Sequence, residues 1–212
     1  MQNDVADATR WAIAQGIADP ARICIAGASY GGYATLMGLV NDPDLYKCGI
    51  DIVGVTDLTL RSANSICKGT LMALLKNPDL GKCSSDYTGI SDLVLQNTND
   101  WNFEGDASEG YKTYGMPALI GDPVTEAARF AATLPLLQAG RIRQPILMGY
   151  SGRDTRVLLD HGQRFLDAVK VNNPNVEMVV YNDEAHRWVL TKNKVDFWSR
   201  AEIFLDQHIG KK

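Results

Sequence analysis

The chain has 212 residues, of which 45% are hydrophobic and 22% charged, a composition typical of one soluble globular domain with a sizeable core. Its formal net charge of −4 and pI near 5.4 argue against a surface for nucleic acid or anionic membranes. No stretch approaches the ~20 apolar residues of a membrane-spanning helix, and the acidic, polar first residues do not resemble a signal peptide.

The predicted elements alternate between helices and strands. Residues 5–17 have apolar positions on one helical face, and Asp19-Pro20 closes this helix. A short apolar strand at 22–26 is followed by a helix at 33–40. Downstream, the alternation predicts strands at 47–55, 144–150 and 176–181 and helices at 158–171 and 194–209. Largely apolar strands that alternate with helices indicate an α/β fold, a parallel sheet covered by helices on both faces.

Residues 57–140 interrupt this alternation. Helical fragments predicted at 70–75, 90–95 and 126–134 alternate there with polar loops. The pattern favours a helical insertion between the second and third readable strands, departing from the carboxyl edge of the sheet where ligands bind. We therefore predict that residues 1–212 form a single domain that carries this insertion.

The segment Gly27-Ala28-Ser29-Tyr30-Gly31 has the G-x-S-x-G pattern between a predicted strand and a predicted helix. Strand, sharp turn and helix in this order are the setting of a nucleophile elbow, in which the serine has a strained backbone conformation. We expect a side chain at either Gly27 or Gly31 to crowd the neighbouring strand and helix. The pattern predicts that Ser29 is a nucleophile.

A serine hydroxyl is a weak nucleophile at neutral pH and needs a base within hydrogen-bonding reach. Of the three histidines, His161 and His208 fall inside predicted helices, where a packing or surface role is expected. His186 instead lies in a polar loop directly after the fourth predicted strand. Because such loops line the carboxyl edge of a parallel sheet, His186 is the predicted base.

The base needs a carboxylate that holds its ring in one tautomer. Asp154 follows the third predicted strand and so belongs to the same edge of the sheet. Asp160 lies within the next helix, and Asp183 is too near His186 in sequence to span the distance. Asp154 is therefore the predicted partner, and the order Ser, Asp, His along the chain is that of α/β-hydrolases.

A tetrahedral intermediate needs hydrogen-bond donors for its oxyanion. The backbone N–H of Tyr30, the residue after the nucleophile, is predicted to be one of them. No segment upstream of Ser29 offers the second donor. No cofactor is predicted for this chemistry.

The four cysteines have neither C-x-x-C spacing nor a nearby histidine, so no metal site is predicted. Cys24 and Cys48 lie in predicted strands, where we expect them to act as small core residues. Cys67 and Cys83 either form a disulfide or remain free thiols. A bond between them would close a loop worth about 3 kcal/mol and would indicate an oxidising compartment, periplasmic or extracellular.

Several motifs lie at and around these positions. They are Gly-Ala-Ser-Tyr-Gly-Gly-Tyr at 27–33, Lys-Cys-Gly-Ile at 47–50, Asp-x-x-Val at 154–157 and Asp-Glu-Ala-His at 183–186. Together they resemble the prolyl oligopeptidase family of serine peptidases, above all its dipeptidyl-peptidase and acylaminoacyl-peptidase branches. The likeness covers most of the chain outside residues 57–115. It implies the C-terminal part of an α/β-hydrolase fold.

The resemblance also implies roles for residues near the substrate. The ring of Tyr30 would border the specificity pocket, and Val55 and Leu58 would line it. Arg156 and Val157 would lie close to the substrate. Ordinary packing, and a solvated guanidinium for Arg156, are the alternatives.

The chain departs from the family pattern at several points. Ser151 stands where the family has a glycine, and the family's Gly-His-Gly-Phe reads Ala-His-Arg-Trp at 185–188. The family also carries a β-propeller and the first half of the sheet ahead of this region. Without that half, the nucleophile strand would have an open apolar edge. We therefore expect either a C-terminal fragment of a larger peptidase or an obligate oligomer.

The resemblance implies a serine peptidase that hydrolyses short peptides through an acyl-enzyme. A carboxylesterase with the same triad is one alternative, and an inactive truncated domain that acts in assembly is another. The expected partner is a peptide substrate, with no nucleic acid and no membrane.

Overall fold

The computed structural model describes residues 2–57 and 125–210, except for the side chain of Phe130. Within these residues, four strands form one parallel sheet in the order β1-β2-β3-β4. The strands are β1 Cys24–Ala28, β2 Cys48–Ile52, β3 Ile146–Ser151 and β4 Val176–Tyr181. The helices are α1 Gln2–Ala14, α2 Tyr30–Asn41, α3 Ala127–Thr133, α4 Pro135–Gln138, α5 Leu159–Lys170 and α6 Thr191–Ile209, with a 3₁₀ turn at Ala139–Arg141.

Helices cover both faces of the sheet, which confirms the predicted arrangement. On one face, Ile50 and Leu147 pack against Phe197 of α6 in an apolar cluster. On the other face, α2 lies against β1 and β2, and its Leu36 and Leu39 are fully buried. Because α2 is largely enclosed, it is apolar almost all round rather than amphipathic. None of the helices described combines the length and apolar character that crossing a bilayer requires.

The first helix is shifted from its predicted position, because α1 spans Gln2–Ala14 instead of residues 5–17. Gly16 has a left-handed backbone, with φ 70°. The N–H of Ile17 donates to Ala12 O, and that of Gly16 donates to Ile13 O, each at 2.9 Å. This pair of hydrogen bonds around a left-handed glycine ends a helix, so the stop signal is Gly16 rather than the Asp-Pro pair.

The other boundaries follow from local chemistry. The turn at Ser29 leads directly into α2, which therefore begins three residues before its predicted start. The helix predicted at 126–134 ends at Thr133, and Pro135 opens the separate short helix α4. The bounds of β4 agree with the prediction. The fragments predicted at 70–75 and 90–95 lie outside the described residues.

The structure corrects the prediction for two cysteines, because the sulfur atoms of Cys24 and Cys48 form a disulfide. The two residues are direct register partners in β1 and β2, and their Cα atoms lie 4.6 Å apart, within disulfide range. The two cysteines are 24 residues apart, and the sequence does not show that they are opposite each other in neighbouring strands. The sequence therefore indicated two separate core residues. Cys67 and Cys83 lie outside the described residues.

We expect the Cys24–Cys48 bond to contribute about 3 kcal/mol to the free energy of unfolding, because it restrains the unfolded chain. Urea unfolding with and without a reductant measures this contribution. The C24A/C48A variant is the control, since any response of its unfolding to reductant comes from the other two cysteines and is subtracted from that of the wild type. The bond is absent if reductant leaves the wild-type protein unchanged and alkylation of the unreduced, denatured chain labels both cysteines.

Candidate active site

Ser29 occupies the sharp turn between β1 and α2. Its backbone has φ 56° and ψ −115°, a strained conformation that persists only where the surroundings enforce it. Its N–H donates to Ile52 O at 2.9 Å, and its C=O accepts from the N–H of Tyr33 at 3.1 Å. The neighbouring strand and the first turn of the helix therefore hold the serine from both sides.

The turn requires glycine at position 27. A Cβ on Gly27 would lie 2.3 Å from the carbonyl oxygen of Gly31, so any side chain there would force strand and helix apart. A Cβ on Gly31 would meet no atom within 4 Å. The expectation of crowding at both glycines is therefore wrong for Gly31, which presents its carbonyl group to Gly27 and leaves the space at its own Cβ position open.

The side chains of Ser29, His186 and Asp154 form one hydrogen-bonded chain. His186 Nε2 lies 3.1 Å from Ser29 Oγ, and His186 Nδ1 lies 2.8 Å from Asp154 Oδ2. The three residues follow β1, β4 and β3, so the shared carboxyl edge of the sheet brings them together. The Asp154 side chain is fully buried, whereas that of His186 is 20% exposed. The imidazole is thus open to solvent on one side and its carboxylate partner is not.

The loop after β3 fixes the orientation of Asp154. Oδ1 accepts the backbone N–H of Arg156 at 2.8 Å and that of Val157 at 2.9 Å, an aspartate turn within one loop. Oδ2 remains to meet His186. A carboxylate there requires the proton on Nδ1 of the ring, which leaves Nε2 free to accept a proton from Ser29.

The other two histidines contact different groups. His161 is buried in α5, where its Nδ1 accepts the backbone N–H groups of Thr56 and Asp57, each at 3.3 Å. His208, near the end of α6, packs edge-on against Phe204 with ring centroids 4.6 Å apart. His161 therefore holds the segment after β2, and His208 contributes to the packing of α6.

The residues that the resemblance connects with substrate differ in exposure. Tyr30 is 52% exposed, so its ring is available to a ligand. Val55 and Val157 are buried, and Arg156 is half-buried. Leu58 lies outside the described residues. The substrate roles of these residues stay predictions.

Sequence reasoning missed Glu184, which anchors the loop that carries His186. Its fully buried carboxylate accepts the backbone N–H of Val189 at 2.8 Å and that of Leu190 at 2.9 Å, and the Asn193 amide at 3.1 Å. Val189 and Leu190 directly precede α6 and Asn193 lies in its first turn, where the helix dipole favours negative charge. An acidic residue shortly before a predicted helix was the one available signal.

A further hydrogen bond joins the loop of the base to the end of β3, directly before the loop of the carboxylate. Trp188 Nε1 donates to Ser151 Oγ at 2.6 Å, and its ring packs edge-on against Tyr181 and Phe197. Positions 151 and 188 are two of those at which the chain departs from the family pattern. The two departures are coupled, because the hydroxyl at one position satisfies the indole N–H at the other.

Comparisons with known proteins agree with this arrangement of the fold. The model of the prolyl oligopeptidase family matches residues 1–66 and 69–212. Dipeptidyl aminopeptidase BIII of Pseudoxanthomonas mexicana is 30% identical over 99% of this chain and 25% of its own length. The chain therefore spans about a quarter of the length of that relative.

Solved structures show the same fold at lower sequence identity. A puromycin-hydrolyzing peptidase of Mycobacterium tuberculosis superimposes with a TM-score of 0.71 and 22% identity, over 100% of this chain and 25% of that one. An esterase of Pyrococcus furiosus superimposes with a TM-score of 0.61 and 18% identity, over 98% of this chain and 61% of that one. The fold is that of the α/β-hydrolases. Since the family model matches nearly every residue, we conclude that this chain belongs to the prolyl oligopeptidase family.

Proposed function

We propose that the chain is the catalytic portion of a serine peptidase that hydrolyses short peptides through an acyl-enzyme. The observation that carries the proposal is the continuous run of hydrogen bonds from Ser29 through His186 to Asp154. Family membership and the resemblance to a dipeptidyl aminopeptidase support a peptide substrate.

In the first half of the reaction, Ser29 Oγ attacks the substrate carbonyl carbon while His186 Nε2 takes the hydroxyl proton. Asp154 stabilises the resulting imidazolium through Nδ1. The carbonyl oxygen becomes an oxyanion that accepts a hydrogen bond from the N–H of Tyr30. When the intermediate collapses, the C–N bond breaks and His186 returns the proton to the leaving amine.

In the second half, a water molecule attacks the acyl carbon and His186 takes one of its protons. Collapse breaks the bond to Ser29 Oγ, which recovers its proton from the imidazolium, and the carboxylic acid product leaves. We propose that the exposed ring of Tyr30 borders the substrate, as do Arg156 and Val157 in the loop that orients Asp154.

A carboxylesterase is the second candidate, because its chemistry needs the same triad and an esterase shares the fold. Matched peptide-amide and p-nitrophenyl ester substrates separate the two functions. A peptidase retains measurable kcat/KM on the amide, whereas an esterase turns over only the ester.

We also propose that another strand covers the outer edge of β1. β1 pairs with β2 on one side, and within residues 2–57 and 125–210 no strand pairs with its other side. Ala26 and Ala28 are exposed, and the N–H of Ser29 is directed at β2. Because backbone groups alternate in direction, those of Ala26 and Ala28 point away from β2, a template for pairing.

The covering strand comes from a second copy of the chain or from a longer polypeptide that contains it. For the isolated chain, light scattering at micromolar concentration should therefore report a dimer or a larger species. A monomer with a cooperative thermal transition would contradict the proposal.

The Cys24–Cys48 disulfide supports an oxidising compartment, periplasmic or extracellular. This support is independent of the Cys67–Cys83 pair, on which the sequence-based expectation depended and which lies outside the described residues.

Fluorophosphonate labelling tests the proposed nucleophile. We expect the wild-type chain to be labelled at Ser29 and the S29A variant to remain unlabelled. The control is S199A, which removes an exposed hydroxyl on α6 and should be labelled at the wild-type rate. A folded wild-type protein that resists labelling would support the inactive, assembly-only function.

D154N tests the proposed carboxylate partner of His186. This variant should lose about 10⁴-fold in kcat, because the amide stabilises the wrong imidazole tautomer.

The Ser151–Trp188 hydrogen bond is expected to keep the two catalytic loops in register. S151A leaves the indole N–H without this acceptor and should cost about 1–3 kcal/mol of unfolding free energy. W188F removes the donor. In a double-mutant cycle the pair should show a coupling of at least ~0.5 kcal/mol, and S151A/W188F should recover part of the labelling rate that S151A loses. Additive effects on both readouts would exclude coupling.

A further inference from the structure

Asp51 is a buried carboxyl group that the proposed reaction does not use. It lies in β2 with no solvent exposure, beside Gly27 of β1 in the sheet register. A Cβ on Gly32 or on Gly54 would lie 2.2 Å or 2.1 Å from Asp51 Oδ1. The carboxyl group therefore fills the space that these two glycines leave, between the first turn of α2 and the turn after β2. Within the described part of the chain, Oδ1 has no hydrogen-bond partner.

The hydroxyl of Tyr150 determines where the proton of this site must lie. Tyr150 Oη is 2.9 Å from Asp51 Oδ2 and 2.8 Å from Gly54 O. The hydroxyl has one hydrogen, and the Gly54 carbonyl can only accept. Both short contacts are full two-centre hydrogen bonds only if Tyr150 donates to Gly54 O and a protonated Asp51 donates to Tyr150 Oη. The geometry therefore favours a neutral Asp51.

The electrostatic surroundings agree with this assignment. Burial raises the pKa of Asp51 to about 7, although hydrogen bonding with Tyr150 and with the Gly54 backbone opposes the shift. Burial and the adjacent Asp51 also hold the pKa of Tyr150 well above its usual value, and Asp154 acts in the same direction. Tyr150 is the titratable group that contacts Asp51 from β3, whereas α2 and the turn after β2 present uncharged Gly32 and Gly54.

The hydrogen-bonded group connects segments that carry the triad. Gly32 is three residues beyond Ser29, and Tyr150 is four residues before Asp154. Val53, directly before Gly54, has φ 45°, a strained value for a β-branched residue. The Tyr150 hydrogen bond to Gly54 O thus restrains a strained turn, and the Asp51 carboxyl group packs this turn against the helix that follows the nucleophile.

We propose that Asp51 is a positioning residue: in its neutral form it ties the first turn of α2 to β3 through Tyr150, and its ionisation releases Gly54 and displaces Ser29. The catalytic part of this inference rests on the proposed function. Ionised Asp51 would take the only hydroxyl hydrogen of Tyr150, so Gly54 O would lose its donor.

The direction of the pH effect follows from proton binding. The pKa of Asp51 rises from 3.8 to about 7 on folding, so the folded chain binds the extra proton between these values. The stability that this group contributes is complete below about pH 4 and is lost as the pH rises to about 7. Above that pH, the loss stays constant.

The first test is the pH dependence of fluorophosphonate labelling at Ser29. Above pH 7, the wild-type rate should fall, approaching about tenfold for each pH unit. D51A should be slow at every pH. D51N should restore the rate at pH 6, because an amide can donate to Tyr150, and should remove the decline above pH 7. D44N, at an exposed aspartate, is the control and should behave as the wild type.

Urea unfolding of wild type and D51N between pH 4 and 9 is the second test and does not depend on activity. The stability advantage of D51N should grow from pH 4 to about pH 7 and then remain constant. An advantage that does not change with pH would refute the neutral carboxyl group. If Ser29 is never labelled but the advantage grows as expected, the proposed function fails and the neutral Asp51 stands. If wild type and D51N are labelled with the same pH profile, Asp51 does not position Ser29.

Discussion

The shared carboxyl edge of the parallel sheet is the constraint on which the site depends. Ser29, Asp154 and His186 each follow a strand, and they meet only because β1, β3 and β4 run in the same direction and end at one edge of the sheet. β1, like β4, lies at an edge of the described sheet and has one described neighbour. The Cys24–Cys48 disulfide holds its beginning against β2, and the Ser29 N–H donates to β2 at its end. The nucleophile is thus positioned by covalent and hydrogen bonds at opposite ends of one short strand.

The fold and the proposed triad were predictable where the signal is local. The G-x-S-x-G turn, the polar loop around His186 and the apolar strands can each be read within about ten residues of sequence. Features that depend on strand register were not predictable. The Cys24–Cys48 bond and the Ser151–Trp188 hydrogen bond each join residues that are far apart in the sequence. No motif around either residue indicates its partner. The crowding expected at Gly31 was wrong for a similar reason, because the direction in which a turn presents its backbone depends on three-dimensional geometry.

Three buried carboxyl groups near the site differ in the hydrogen-bond donors that surround them. Asp154 accepts two backbone N–H groups on one oxygen and meets His186 with the other. Glu184 accepts two backbone N–H groups from directly before α6 and the side-chain amide of Asn193 in its first turn. Asp51 has the Tyr150 hydroxyl, whose single hydrogen is also required by a carbonyl group, and the backbone of Gly54. Asp51 is thus a buried carboxyl group with few donors, and burial together with this short supply favours its protonated form.

A neutral Asp51 next to the nucleophile turn also favours the negative charge that the proposed reaction develops on the oxyanion. The first turn of α2 contains the N–H of Tyr30 and carries the partial positive charge of a helix N-terminus. A negative charge on Asp51, packed against Gly32 in that same turn, would offset this field before the substrate arrives. With Asp51 protonated, the field remains available to the oxyanion, and preorganised dipoles of this kind lower the barrier only when no fixed charge already neutralises them. Oδ1 of Asp51 is buried without a hydrogen-bond partner, which a neutral carboxyl group can tolerate and an ionised one cannot.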